Sequence, residues 1–116
     1  MKDTILITDN RDPLFGLERS EYIRLLQEKL EGRVDQAWLF GSFTGNSFGS
    51  DSDIDIILIK ETAVPFVERP FEFADLLDLV PSTDILVYTS VEFARLTDDS
   101  AVGFWKSVKE SMVRLV

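Results

Sequence analysis

Residues 40–59 read FGSFTGNSFGSDSDIDIILI, and this stretch decides what kind of sheet the chain can build. Gly41 and Ser42 close an apolar segment. A loop rich in Gly, Ser, Asn and Thr follows (43–52), and then Asp51, Asp53 and Asp55 lead directly into Ile56, Ile57, Leu58 and Ile59. Ile54–Ile59 is β-branched and apolar on both faces, the pattern of a central strand buried on both sides. Side chains alternate faces along a strand, so Asp53 and Asp55 share one face while Ile54 and Ile56 take the other. Two carboxylates on one face repel each other unless something positive lies between them.

Three readings of the acidic stretch compete. An exposed acidic turn that merely introduces a strand is the plainest. A calcium loop is suggested because Asp51, Asp53 and Asp55 mimic loop positions 1, 3 and 5, but that loop needs Gly at position 6 and Glu at position 12. Here those positions hold Ile56 and Thr62, which excludes it. The third reading is a hard divalent cation, which binds through a few carboxylates plus substrate phosphates. Upstream, Gly41 lets a phosphate approach the backbone, a helical turn after it offers free N–H groups, and Ser42 adds a hydroxyl. A phosphate cradle at one strand end beside two carboxylates on the next strand is apparatus for a nucleoside triphosphate.

Working outward, the apolar spacing of Tyr22, Leu25, Leu26 and Leu30 predicts a helix over about 17–31, stopped by Gly32. The segment 34–40 (VDQAWLF) reads as a strand, 60–70 as a proline-containing surface connection, and 71–80 as a short helix closed by Pro81. Residues 83–89 (TDILVYT) read as a third strand, and Ser90 as the cap of a helix over 91–96. A last helix, about 101–110, is expected to turn Ala101, Phe104, Trp105 and Val108 to the core, and MVRLV (112–116) to add an edge strand. Within residues 1–16, TILIT (4–8) is a candidate further strand. The order predicts a small α/β (α+β) fold: a mixed β-sheet with helices packed on it.

Composition narrows the chemistry. The 116 residues fit one domain, and there is neither Cys nor His. Disulfides, thiolate nucleophiles, Ser-His triads and ordinary zinc sites are therefore excluded within this chain. A formal charge of −9, with twelve basic residues dispersed among twenty-one acidic ones, argues against an extended nucleic acid as ligand. No apolar run approaches the ~20 residues of a membrane span, and the N-terminus lacks a signal-peptide pattern, so a cytoplasmic protein is expected.

Gly-Ser, ten intervening residues, Asp-x-Asp and an apolar strand resemble the DNA polymerase β-like nucleotidyltransferase superfamily, and the short length resembles its minimal nucleotidyltransferase (MNT) group. The resemblance covers residues 38–59 and extends more weakly to 82–96 and to the C-terminal helix and strand. It implies that residues 1–116 form one nucleotidyltransferase domain with a poorly defined extension over 1–16. Gly41 and Ser42 would hold the β- and γ-phosphates, Asp53 and Asp55 would bind two Mg²⁺ ions (Mn²⁺ can substitute), and Asp84 would complete the metal site and help deprotonate an acceptor hydroxyl. From strand and turn chemistry alone, Asp84 reads first as a turn residue before a strand. The resemblance further implies an NTP substrate, ATP foremost, a released pyrophosphate, and an antitoxin role beside a HEPN-domain partner whose tyrosine is the acceptor.

One departure matters. Many members carry Ala-Arg-Gly after Gly-Ser, where this chain has Thr44, Gly45 and Asn46, with no Lys or Arg between Val34 and Ile59. Lys60 or Arg69 are the nearest substitutes. This departure motivates an alternative, a non-catalytic protein-binding module that keeps the fold. A resistance enzyme acting on a small-molecule acceptor would need an acceptor-binding domain. Phe40, Phe43 and Phe48 flank the motif and are expected to be core or loop-anchoring side chains rather than base-stacking ones; Trp38 and Trp105 are expected in the core.

Overall fold

The computed structural model describes residues 14, 16–45, 48–49 and 52–116. Four strands form one mixed sheet in the order β3-β2-β1-β4: β1 (Gln36–Phe40), β2 (Ile54–Ile59), β3 (Thr83–Tyr88) and β4 (Val113–Arg114). β1 is antiparallel to both β2 and β4, whereas β2 and β3 are parallel. A parallel pair needs a crossover, and residues Phe66–Asp78 supply it as 3-10 turns rather than the α-helix parallel strands usually use. Among the described residues there are three α-helices: α1 (Arg19–Leu30), α2 (Ser90–Leu96) and α3 (Phe104–Ser111).

The register explains why the Ile-rich strand is apolar on both sides. Ile54, Ile56 and Leu58 align with Thr83, Ile85 and Val87 on one face. There they pack with Tyr22, Leu26 and Leu30 of α1 and with Phe73 and Leu76 of the crossover. On the opposite face, Ile57 and Ile59 join Phe40 and Val108, with Trp38, Leu86, Tyr88, Phe93 and Trp105 at the margin. β2 is central and covered on both sides, so every one of its apolar side chains is buried.

Several boundaries differ from those the pattern predicts. The crossover begins at Phe66, so the second half of the expected loop is ordered into 3-10 turns. Pro70 lies inside, and the turns kink at Phe73 (φ −111°, ψ 22°). Proline removes one N–H donor, which 3-10 turns tolerate better than a long α-helix. The cap of α2 is Thr89, not Ser90. Thr89 is extended (φ −75°, ψ 162°), its side chain accepts from the Glu92 amide, and the Glu92 carboxylate accepts from the Thr89 amide, which makes a capping box.

α3 starts at Phe104, after Gly103 turns the chain at φ 59°. Ala101 therefore lies outside the helix, and of the expected core face only Val108 is fully buried; Trp105 is half-buried and Phe104 is 56% exposed. The candidate strand at 4–8 lies outside the described residues. Among those residues no helix is long and apolar enough to cross a membrane.

Candidate functional site

The acidic stretch is built on the β2–β3 pair. Asp55 and Asp84 are register partners across the two parallel strands. Neighbouring strands lie roughly 4.8 Å apart and register partners share a face, so the two carboxylates emerge side by side. Asp53, two residues before Asp55, has the same parity. Asp55 is half-buried, whereas Asp53 and Asp84 are exposed. Burial, then the charges of Asp84 and Asp53, push the Asp55 carboxyl up from 3.8 to about 6. Asp51 lies outside the described residues.

The Gly-Ser pair reaches this cluster through the β1–β2 register, in which Phe40 faces Asp55. Immediately beyond Phe40 the chain turns through Gly41 at φ 76° and forms a single 3-10 turn, Gly41–Thr44. Thr44 Oγ1 donates to the Gly41 carbonyl (2.9 Å), and the Gly45 amide donates to the Ser42 carbonyl (3.1 Å). Gly41 is required twice over. Its φ is disfavoured for residues with a Cβ, and a Cβ there would stand 2.6 Å from Asp55 Oδ2.

A direct test follows. Gly41→Ala should cost about 1–2 kcal/mol from the backbone alone, plus the displacement of Asp55. In an Asp55→Gly background the second cost disappears, so urea unfolding of the two single variants and the double variant should be non-additive.

The remaining wall comes from α3. Gly41, Ser42 and Asp55 line a cleft of about 370 Å³ together with Phe40, Phe104, Ser107, Val108 and Ser111. Ser111 Oγ accepts a hydrogen bond from the Gly41 amide at 3.2 Å, which ties the C-terminal helix to the turn. Residues 104, 107, 108 and 111 follow i, i+3, i+4, i+7 spacing. The core face expected from the sequence includes Phe104 and Val108 but neither serine, because Ser107 and Ser111 read as an ordinary helix surface.

The cations suggested by the sequence are committed elsewhere. Lys60 pairs with Glu72, and Arg69 is buried against Glu92, Val64 and Val87. A different cation reaches the turn: Arg19, at the start of α1, donates to the Phe43 carbonyl, and its guanidinium lies 4.2 Å from the Phe43 ring centroid. Sequence distance hid it. Phe43 is 1% exposed and meets Tyr22 and Phe48 edge-on, so it anchors the turn from below.

Residues 21–113 match the family model described as polymerase beta, nucleotidyltransferase. The chain belongs to this nucleotidyltransferase family. The matched region contains β1, β2, β3, the first residue of β4 and all of the cleft, and the α+β architecture agrees with it. A protein of Methanocaldococcus jannaschii named "Putative protein adenylyltransferase" is 32% identical over 47 residues, which cover 40% of this chain and 47% of that protein. The similarity thus spans about half of that relative's length.

Whether a divalent cation suits this nucleotidyltransferase site can be judged from its donors. All are oxygens, the Asp55 carboxyl is held at about 6 by burial and like charge, and the space beside it exists because residue 41 has no Cβ. Among the described residues no group of three acidic side chains stands close enough together to hold a metal ion. An open site of one or two carboxylates completed by phosphate oxygens is the usual Mg²⁺ arrangement at nucleotides, and the residues present fit it.

Proposed function

We propose that the protein transfers a nucleoside monophosphate from an NTP, ATP foremost, to a hydroxyl of another protein. The observation that carries this reading is the placement of Asp55 beside Asp84, on the face where Gly41 opens room against Asp55. Gly41 and Ser42 take the β- and γ-phosphates at the 3-10 turn. Asp55 and Asp84, with Asp53 beside them on the same face, would offer one or two carboxylates at a time to Mg²⁺, or Mn²⁺ in its place, the phosphates completing the shell; when bound, the ions would neutralise the triphosphate and polarise the α-phosphate.

The acceptor oxygen attacks the α-phosphorus as the bond to the bridging oxygen breaks. Pyrophosphate leaves, and Asp84, the most open carboxylate of the register pair, receives the hydroxyl proton. The catalytic contribution is positioning and charge compensation, consistent with a site that contains no His or Cys.

The acceptor we favour is a tyrosine of a HEPN-domain protein, with this chain as the MNT-type antitoxin and AMP as the transferred group. The name of the M. jannaschii relative supports a protein acceptor. The matched region accounts for nearly the whole described fold, so residues 1–116 are read as one domain, working in the cytoplasm.

A second reading has one specific observation behind it. Lys60 and Arg69 both pair with glutamates away from the cleft, and Arg19, which does reach the turn, is held by the Phe43 carbonyl and ring, so none of the three replaces the arginine many relatives carry after Gly-Ser. A fold retained only for protein binding would tolerate that.

Each labelled NTP, with Mg²⁺ or Mn²⁺, should be incubated with the full chain and with lysate or the co-encoded partner. Transfer of label to a protein band is expected. Label on a small molecule would overturn the protein acceptor, and no label with any NTP would favour the binding module. That module should also keep its partner after Asp53→Asn and Asp55→Asn.

A further inference from the structure

The α3 wall of the cleft contains two residues, Phe104 and Ser107, that the site as described does not use. Val108 is buried beneath the helix, and Ser111 is committed to the Gly41 amide. Phe104 is 56% exposed yet lines the cleft with Gly41, Ser42 and Asp55. Its ring is braced edge-on from two sides, by Phe40 at 6.0 Å and 88° and by Trp105 at 5.2 Å and 88°. Phe40 is itself only 6% exposed, so this support is rigid.

A braced aromatic ring with open surface, next to a hydroxyl- and carboxylate-lined end, matches the two halves of a nucleotide. The phosphates need the polar end and the base needs a flat apolar surface. The aromatic residues inside the Gly-Ser loop cannot serve, because Phe43 is enclosed by Tyr22 and Phe48.

We propose that Phe104 is the platform on which the nucleobase of the bound NTP stacks, with the Ser107 hydroxyl facing the same ligand. This rests on the reading of the cleft as the nucleotide site. Stacking uses the π face that every base has, so the platform tolerates different bases and favours the larger purine ring system over pyrimidines. ATP and GTP should therefore bind within a few-fold of each other.

The test is calorimetric titration of the full chain with a non-hydrolysable ATP analogue and Mg²⁺, for wild type and for Phe104→Trp, Phe104→Leu and Phe104→Ala. Affinity should fall about tenfold in Phe104→Ala, nearly as far in Phe104→Leu, and stay at the wild-type level or better in Phe104→Trp. Phe104→Leu keeps most of the apolar packing and guards against a variant that fails to fold. If Phe104→Leu binds like wild type, the ring is only a packing element and the platform is refuted while the nucleotide site stands. If wild type itself does not bind the analogue, the nucleotide reading falls and the platform with it.

Discussion

Asp55→Asn should reduce nucleotidyl transfer by about 10²–10³-fold or more, and the same substitution should make the metal-free protein more stable at neutral pH. Both effects come from one placement. Asp55 is half-buried, faces Asp84 across the parallel pair, and has Asp53 two residues away, so its charged form is penalised by burial first and by like charges second. Losing this carboxylate removes the group closest to Gly41. The amide of Asn fills the same space without the charge.

The stability effect has a definite sign. The folded carboxyl titrates near 6 and the ordinary value is 3.8, so the folded state holds the proton more tightly than the unfolded chain does. Between roughly pH 4 and 6 this group therefore lowers stability as pH rises, and above 6 its full cost remains. With allowance for a partly solvated carboxyl, the cost is about 1–2 kcal/mol. In EDTA the Tm of Asp55→Asn should match wild type near pH 4 and exceed it by several degrees at pH 7.5. Adding Mg²⁺ with an NTP analogue should reverse the order, because ligand that binds the folded state stabilises only a protein able to hold it. A pH-independent difference would mean that neither burial nor the neighbouring carboxylates raise the Asp55 carboxyl.

The parts of this molecule legible in its sequence were those set by local pattern. β2 was evident because six consecutive apolar or β-branched positions, broken only by Asp55, leave no helical stripe. The partnership of Asp53 and Asp55 followed from strand alternation. That Asp84 lies opposite Asp55 is a matter of register between strands separated by a long crossover, and only the family resemblance pointed to it.

Arg19 and Ser111 were invisible for the same reason: each reaches the Gly41–Thr44 turn across a large sequence separation through its side chain. Phe104 was misjudged because helical spacing places it with Trp105 and Val108. Gly103 starts the helix late and leaves this first residue at the open end of the stripe. Arg69 looked like a free cation in a proline-rich loop, but 3-10 turns fold that loop back onto the sheet.

Removing Arg69 should be the most damaging change away from the cleft. Arg69 is 9% exposed, and its guanidinium joins three elements. Nε donates to the Val64 carbonyl at 2.8 Å, Nη1 to the Val87 carbonyl at 3.1 Å and to Glu92 Oε1 at 2.7 Å, and Nη2 to Glu92 Oε2 at 3.3 Å. The crossover, the end of β3 and the capping box of α2 thus depend on one planar fork, which lysine cannot reproduce.

Arg69→Met keeps the stem but leaves the buried Val87 carbonyl without this donor. Because Glu92 is partly exposed and can be rehydrated, the loss belongs at the lower end for a broken buried pair, about 2–3 kcal/mol. That corresponds to a Tm roughly 8–15 °C lower. Arg69→Lys should recover only part of it. The Arg69 hydrogen bond, and then the Thr89 amide, hold the Glu92 carboxyl down at about 2, against an ordinary 4.5. The stabilisation is therefore complete above pH 4.5 and is lost as pH falls toward 2. The Tm gap between wild type and Arg69→Met should narrow across that window; a gap that stays constant from pH 7 to pH 2.5 would show that Arg69 acts through its backbone hydrogen bonds and not through Glu92.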